Sequence, residues 1–220
     1  TNLDNVHNGV RAKIAEKLGL ENCRVLAPKS DLLRQLVVYC PVINATALKM
    51  ALFDAGAGAI GDYDQCSFTS VGSGTFRANE NCTPFVGEID KQHTENEERI
   101  EVIYPKYKER VILNAMQITH PYQKVAHQLY SLENKHQLVG AGIVGELQSA
   151  VKNKAFLEQI KNVMQTDCIR HTSLVKNKIK TVAICGGSGS FLLNNAKSVG
   201  ADIFITADFK YHEFFDAEQD

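Results

Sequence analysis

Residues 181–217 read TVAICGGSGSFLLNNAKSVGADIFITADFKYHEFFDA, and this stretch decides the fold. An apolar run at 181–185 meets a glycine-serine loop, then a helical stretch, then a second apolar run at 202–206. A cluster rich in acids and histidine follows at once, at residues 208–213. The pattern predicts a β-loop-α-β unit with polar chemistry just past a strand's C-terminal end, where open α/β sheets place their ligands.

The bulk of the chain sets bounds on that reading. Its 220 residues suffice for one large domain or two small ones. With 24 basic and 25 acidic residues the net charge is −1, and no basic stripe stands out, which argues against nucleic-acid binding. No apolar run approaches the roughly 18–20 residues of a membrane span. Neither a signal-peptide core nor an initiator methionine opens the chain at TNLDNVHNGV. Six cysteines (Cys23, Cys40, Cys66, Cys82, Cys168 and Cys185) show no C-x-x-C spacing, so we expect reduced thiols and a cytoplasmic setting rather than disulfides or a cysteine zinc site.

Working outward, Val10, Ile14 and Leu18 share one helical face and Gly19 suits a C-cap. Pro28 and Ser30 break that pattern. From Leu32 the style changes: LLRQLVVYCPV reads as a strand, and Asn44 as the N-cap of ATALKMALFDAG. The stretch YDQCSFTSVGSGTFRA reads as one or two strands bent at Gly72 and Gly74. An acidic, exposed run (Glu95, Glu97, Glu98) leads into the alternating strand RIEVIY. A helix around residues 106–117 and a strand VAHQLYSL complete a β-α-β-β-α-β order, that of ferredoxin-like domains. We therefore expect an α/β domain made of residues 1–31 and 133–220, interrupted by a ferredoxin-like module at 32–132.

Several motifs admit more than one reading. Gly140, Gly142 and Gly145 spell G-x-G-x-x-G, but only HQLV precedes them and the next helix starts too late for a pyrophosphate; a glycine-permitted bend with close backbone packing is expected. The loop at 186–190, GGSGS, lacks the Lys-Ser or Lys-Thr of a P-loop. It either lines a site with backbone N–H groups or makes a tight strand-to-helix turn. Asp208 and His212 stand at i, i+4: on one helix they would share a face suited to metal ligation or acid–base work, and otherwise Asp208 caps and His212 is structural. Asp4 and His7 precede the first helix, which Asp4 is placed to cap. His93, His120, His127, His136 and His171 are isolated and read as surface or packing residues.

Taken in order, TNLD with the following GV and LGL, then GAGIVGEL, ICGGSGSFL and GADIFITADFKYHEFFDA resemble the NIF-three-like family, whose members are also known as GTP cyclohydrolase I type 2 homologues. The stretch ITHPYQKVAHQLYSL is similar to the HPYEEVAY-like strand of the PII- and CutA-like insert of many bacterial members. This resemblance covers nearly the whole chain. It implies a NIF-three-like α/β domain carrying a PII/CutA-type module. It further implies hydrolase chemistry of two divalent ions (zinc, iron or manganese) acting on a nucleotide-like or other small molecule, in a toroidal homohexamer. Alternatively the family implies a non-catalytic metal-binding scaffold whose PII-like module senses a ligand or governs assembly.

Family metal ligands come from three places: a His-His pair upstream of TNLD, the Asp of TNLD, and a His and Glu in a later G-H-x-x-x-E segment. Of these only Asp4 matches a position in this chain, so the resemblance makes Asp4 a metal ligand and His212 a candidate to orient a ligand or shuttle a proton. The usual Gly-Asp before KYH is Ala207-Asp208 here. The chain thus reads as an internal portion of a longer protein, expected to bind metal weakly or not at all, and to be inactive, by itself.

Overall fold

A computed structural model describes residues 8–81 and 83–218. The chain divides into two compact units, one joining the chain up to Lys29 with the chain from His136 onward, the other Ser30–Lys135. In chain order the elements are α1 (Val10–Leu18), β1 (Leu20–Pro28), β2 (Leu33–Pro41), α2 (Val42–Asp54), β3 (Phe68–Arg77), β4 (Gln92–Pro105), α3 (Glu109–Thr119) and β5 (His127–Leu132), followed by β6 (Gly140–Lys152), α4 (Asn153–Met164), β7 (Lys178–Ser188), α5 (Leu193–Ser198), β8 (Ile203–Ala207) and α6 (Tyr211–Ala217).

Ser30–Lys135 has the expected β-α-β-β-α-β order. Its antiparallel sheet runs β3-β4-β2-β5, so the first and last strands of the unit are neighbours, with Leu33 opposite Leu132. Period-2 alternation sends Leu36, Val38 and Cys40 of β2 and Ile100, Val102 and Tyr104 of β4 to one face, where Leu48, Leu52, Ile112 and Met116 of α2 and α3 cover them. At the end of α3 the buried His120 bridges two segments: its Nε2 donates to the Tyr39 carbonyl (2.8 Å) and its Nδ1 accepts from the Tyr122 N–H (3.0 Å).

Three local expectations here need correction. Asn44 does not cap α2, because Pro41 ends β2 in an extended conformation and the helix starts directly at Val42; the Asn44 Oδ1 is instead a buried acceptor with no partner among the described residues. Gly72 and Gly74 make no bend, since β3 pairs with β4 without interruption from Phe68 to Arg77. The acidic run is strand rather than an exposed approach to one: Glu95, Glu97 and Glu98 are half-buried in β4, with Glu98 held by Lys49 at 3.1 Å and Glu95 by His93 at 2.9 Å.

In the other unit the sheet order is β1-β6-β7-β8, antiparallel except for the parallel pair β7–β8. One face packs Leu18, Ile143, Phe156, Ile160 and Ile184 beneath α1 and α4; the other packs Leu26, Val144, Cys185, Leu192 and Ala196 beneath α5. Truncating the fully buried Phe156 to alanine would cost about 3–5 kcal/mol. α1 ends as expected at Gly19 in the left-handed conformation. The G-x-G-x-x-G stretch opens strand β6, beside the unexpected strand β1, and Gly142 takes the left-handed conformation (φ 64°) that glycine permits. Its close backbone packing is real: a Cβ on Gly140 would run into the Ala27 carbonyl. At the break between the two halves of this unit, Lys29 accepts a hydrogen bond from the His136 N–H at 2.8 Å. The five described cysteines are free. Among the described residues no helix is long and apolar enough to cross a membrane.

Candidate functional site

The stretch at 181–217 folds as β7-α5-β8-α6, and the parallel register of β7 and β8 (Val182 opposite Ile203, Ile184 opposite Ile205) brings their C-terminal ends together. Two segments meet there: the glycine loop at 186–190 and the polar segment at 208–213. β7 is anchored by Val182, Ala183, Ile184 and Cys185, all buried. The start of β8 is fixed by Asp202. One carboxylate oxygen, Oδ2, accepts from the backbone N–H groups of Lys180 (2.8 Å) and Thr181 (2.9 Å), and Oδ1 takes the Lys176 ammonium at 2.5 Å. Burial alone would raise this carboxyl, but the Lys176 and backbone hydrogen bonds together hold it below the usual aspartate value.

The loop is tight for steric reasons. A Cβ on Gly189 would lie 2.5 Å from the Cys185 Cβ and 2.6 Å from the Thr206 Oγ1, so only glycine lets the chain pass this close to both strands. Thr206 Oγ1 donates to the Gly187 carbonyl at 2.8 Å, pinning loop to strand. A short 3-10 turn at Ser190–Leu192 then leads into α5. The Ser190 hydroxyl is engaged by the Glu213 carboxylate. A carboxylate of the chain itself therefore faces the loop at Ser190, and the close passage of Gly189 over Cys185 and Thr206 fits the tight-turn reading of GGSGS.

Past β8, Asp208 takes a left-handed conformation (φ 52°) and is exposed. α6 begins only at Tyr211, so Asp208 lies outside the helix and does not share a helical face with His212. Nor is it the cap: Lys210 occupies that position, and its N–H donates to the Glu213 carboxylate at 2.7 Å. That bond, and after it the Ser190 hydroxyl, hold the Glu213 carboxyl below the usual glutamate range. His212 stands exposed in the first turn of α6. Asp4 and His7 lie outside the described residues.

The sequence signalled Asp208 and His212 but missed the working roles of Asp202 and Glu213. A capping box is recognised by Ser or Thr three residues before the Glu, and here that position is Lys210. Asp202 hides at the head of an apolar run.

Among the described residues no group of three His, Cys, Asp or Glu is placed to hold a metal ion. Glu213 is committed to Lys210 and Ser190, which leaves Asp208 and His212 as donors. Two donors do not make a two-metal centre, so the described residues by themselves do not fit one.

The family model of Duf34/NIF3 (NGG1p interacting factor 3) matches residues 1–220. A Bacillus subtilis (strain 168) protein named as a GTP cyclohydrolase 1 type 2 homolog is 37% identical over 218 residues, covering 99% of this chain and 58% of that protein. The crystal structure of a Bacillus cereus protein related to NIF3 superposes with a TM-score of 0.84 at 38% identity, covering 98% of this chain and 57% of the other. A Staphylococcus aureus structure follows at TM-score 0.67 and 26% identity, covering 99% and 56%. The chain thus spans a little under three-fifths of the length of the relatives it matches.

Proposed function

This chain belongs to the Duf34/NIF3 family, and from that premise we propose that it forms one wall of a dimetal hydrolase acting on a nucleotide-like or other small substrate. The observation that carries the proposal is the convergence of two loops, 186–190 and 208–213, at the C-terminal ends of β7 and β8 within a family match over the whole chain. Open α/β sheets bind ligands at that place. The curated relatives named as GTP cyclohydrolase 1 type 2 homologs favour a nucleotide-like substrate.

In this reading Asp4 is the metal ligand that the chain supplies, and two divalent ions (zinc, iron or manganese) activate water when bound. The other ligands come from polypeptide of the kind the longer relatives carry outside the matched region. His212, exposed and one residue into α6, takes up or releases a proton at its imidazole. Glu213 acts as a brace, tying α6 to the loop through Ser190. The proposal includes the toroidal homohexamer and the cytoplasmic setting.

A second reading favours a metal-binding scaffold with a ligand-sensing module. Its support is that Glu213 serves the backbone and the loop rather than a ligand. Turnover of a nucleotide panel by metal-loaded full-length protein separates the two. Product formation lost in Asp4→Ala and slowed in His212→Ala supports the hydrolase; ligand binding without turnover supports the scaffold. For the 220-residue chain alone, calorimetry is expected to find no pair of tight metal sites, and two such sites per chain would overturn the shared-ligand proposal.

A further inference from the structure

In the Ser30–Lys135 unit, the turn between α3 and β5 depends on one proton. Its first residue, His120, is 6% exposed. Because Nε2 donates to the Tyr39 carbonyl at 2.8 Å, Nδ1 carries no hydrogen and accepts the Tyr122 N–H at 3.0 Å. This pair of bonds needs the neutral imidazole, since a protonated ring has a hydrogen on both nitrogens. A hydrogen on Nδ1 would meet the Tyr122 N–H head-on.

The turn in its place holds a second segment. Residues 78–91 connect β3 to β4, and near its two ends this connection closes on itself: Ala78 bridges to Ile89, and the Asp90 N–H donates to the Ala78 carbonyl at 2.8 Å. Its middle reaches the turn instead. The Thr83 N–H donates to Gln123 Oε1 at 3.4 Å, and the Phe85 ring lies 6.4 Å from the Tyr122 ring. Tyr122 is the hub of these contacts, meeting Phe76 at 5.8 Å and the His120 imidazole itself at 5.1 Å.

We infer that His120 is an acid-released latch: the neutral imidazole holds Tyr122 and Gln123 where they grip the middle of the 78–91 connection, and protonation frees that segment while the sheet stays folded. Other groups around the turn do not supply this response. Glu95 and Glu97 of β4 face the Tyr122 hydroxyl, and carboxylates titrate below the range where imidazoles do. Glu98 is paired with Lys49 at 3.1 Å. Burial pushes the Cys40 thiol of β2 up to about 12, so it stays protonated. Protonation of His93 strengthens its bond to Glu95, the opposite sense. His127 Nδ1 donates to the Val125 carbonyl, a bond that protonation leaves intact.

Residue-resolved amide hydrogen exchange on this chain, at pH 7.5 and 5.5 and over a range of urea, tests the latch. The Tyr122 and Thr83 amides are expected to exchange through a local opening with little urea dependence, and the Val38 and Ile100 amides through one with a steep dependence. A freed imidazole protonates near pH 6.5, so the local opening is expected to become more populated at pH 5.5 by up to about 10-fold. In His120→Gln, whose amide can donate and accept without titrating, that pH response is expected to vanish. Exchange of Tyr122 and Thr83 only together with the core amides overturns the inference, and so does a pH response that survives in His120→Gln. Should that variant fail to fold, Tyr122→Leu serves: it is expected to expose the Thr83 amide equally at both pH values, and undiminished Thr83 protection overturns the grip assigned to Tyr122.

Discussion

Replacing Asp202 with alanine removes the clamp between β7 and β8, and its cost can be worked from the structure. Two backbone N–H groups, on Lys180 and Thr181, lose their acceptor, and the Lys176 ammonium loses its partner. The Asp202 side chain is only 15% exposed, so water restores these bonds incompletely. Hydrogen bonds to a charged group are worth about 1.5–3 kcal/mol each, and the exposed Lys176 contributes little. With partial access of water to the two amides, the total is about 2–4 kcal/mol, or roughly 5–10 °C in melting temperature. Asp202→Asn keeps an acceptor oxygen for the amides and is expected to lose less than half as much. Because the folded carboxyl is held below its ordinary value, its contribution is present above about pH 4 and is lost as pH falls through the folded value. Melting followed by circular dichroism at pH 7 and at pH 3 measures both effects. Equal losses in the Asn and Ala variants, or an undiminished difference between wild type and Asp202→Ala at pH 3, would refute the reasoning.

Two further outcomes follow from the described contacts. Burial lowers the pKa of His120 more than its bond to the Tyr39 carbonyl raises it, and protonation would break the Tyr122 N–H bond to Nδ1. The unfolded imidazole protonates near pH 6.5, so stability is expected to fall from about pH 6.5 downward. Urea midpoints at pH 7.5 and pH 5.5 should differ more in wild type than in His120→Gln. Gly189→Ala forces a methyl group against Cys185 and Thr206 and is expected to cost about 1–3 kcal/mol, read as a drop in the urea midpoint with an unchanged slope.

Hydrophobic periodicity made much of this fold legible. The alternating RIEVIY puts Ile100, Val102 and Tyr104 on the inner face of a sheet before any coordinate is seen, whereas Leu36, Val38 and Cys40 lie in an unbroken apolar run that marks a strand without naming its face. Strand β1 escaped because LENCRVLAP carries Glu21 and Arg24 around an irregularity in its pairing with β6, and that irregularity destroys the alternation. Glycine misled twice. Gly140 sits in a strand because the neighbouring chain approaches too closely for a Cβ, and Gly72 and Gly74 because β3 pairs with β4 without a break across them. Both are tertiary facts that no local pattern carries. At the candidate site, the placement of Asp208 and His212 past β8 was readable, but their relation was not: the left-handed turn at Asp208 delays α6 by three residues and sets the two apart. The ligand role proposed for Asp4 rests on family resemblance alone, and the residue lies outside the described part of the structure.

The break in the host unit is small. Lys29 and His136 are joined by a hydrogen bond, and the inserted unit begins and ends on adjacent strands that pair Leu33 with Leu132. Because the two ends of the host unit touch at that bond, excision of the 30–135 unit would leave only a short gap to bridge. Such a seam confines any removal or replacement of the module to one place in the host, the Lys29–His136 junction.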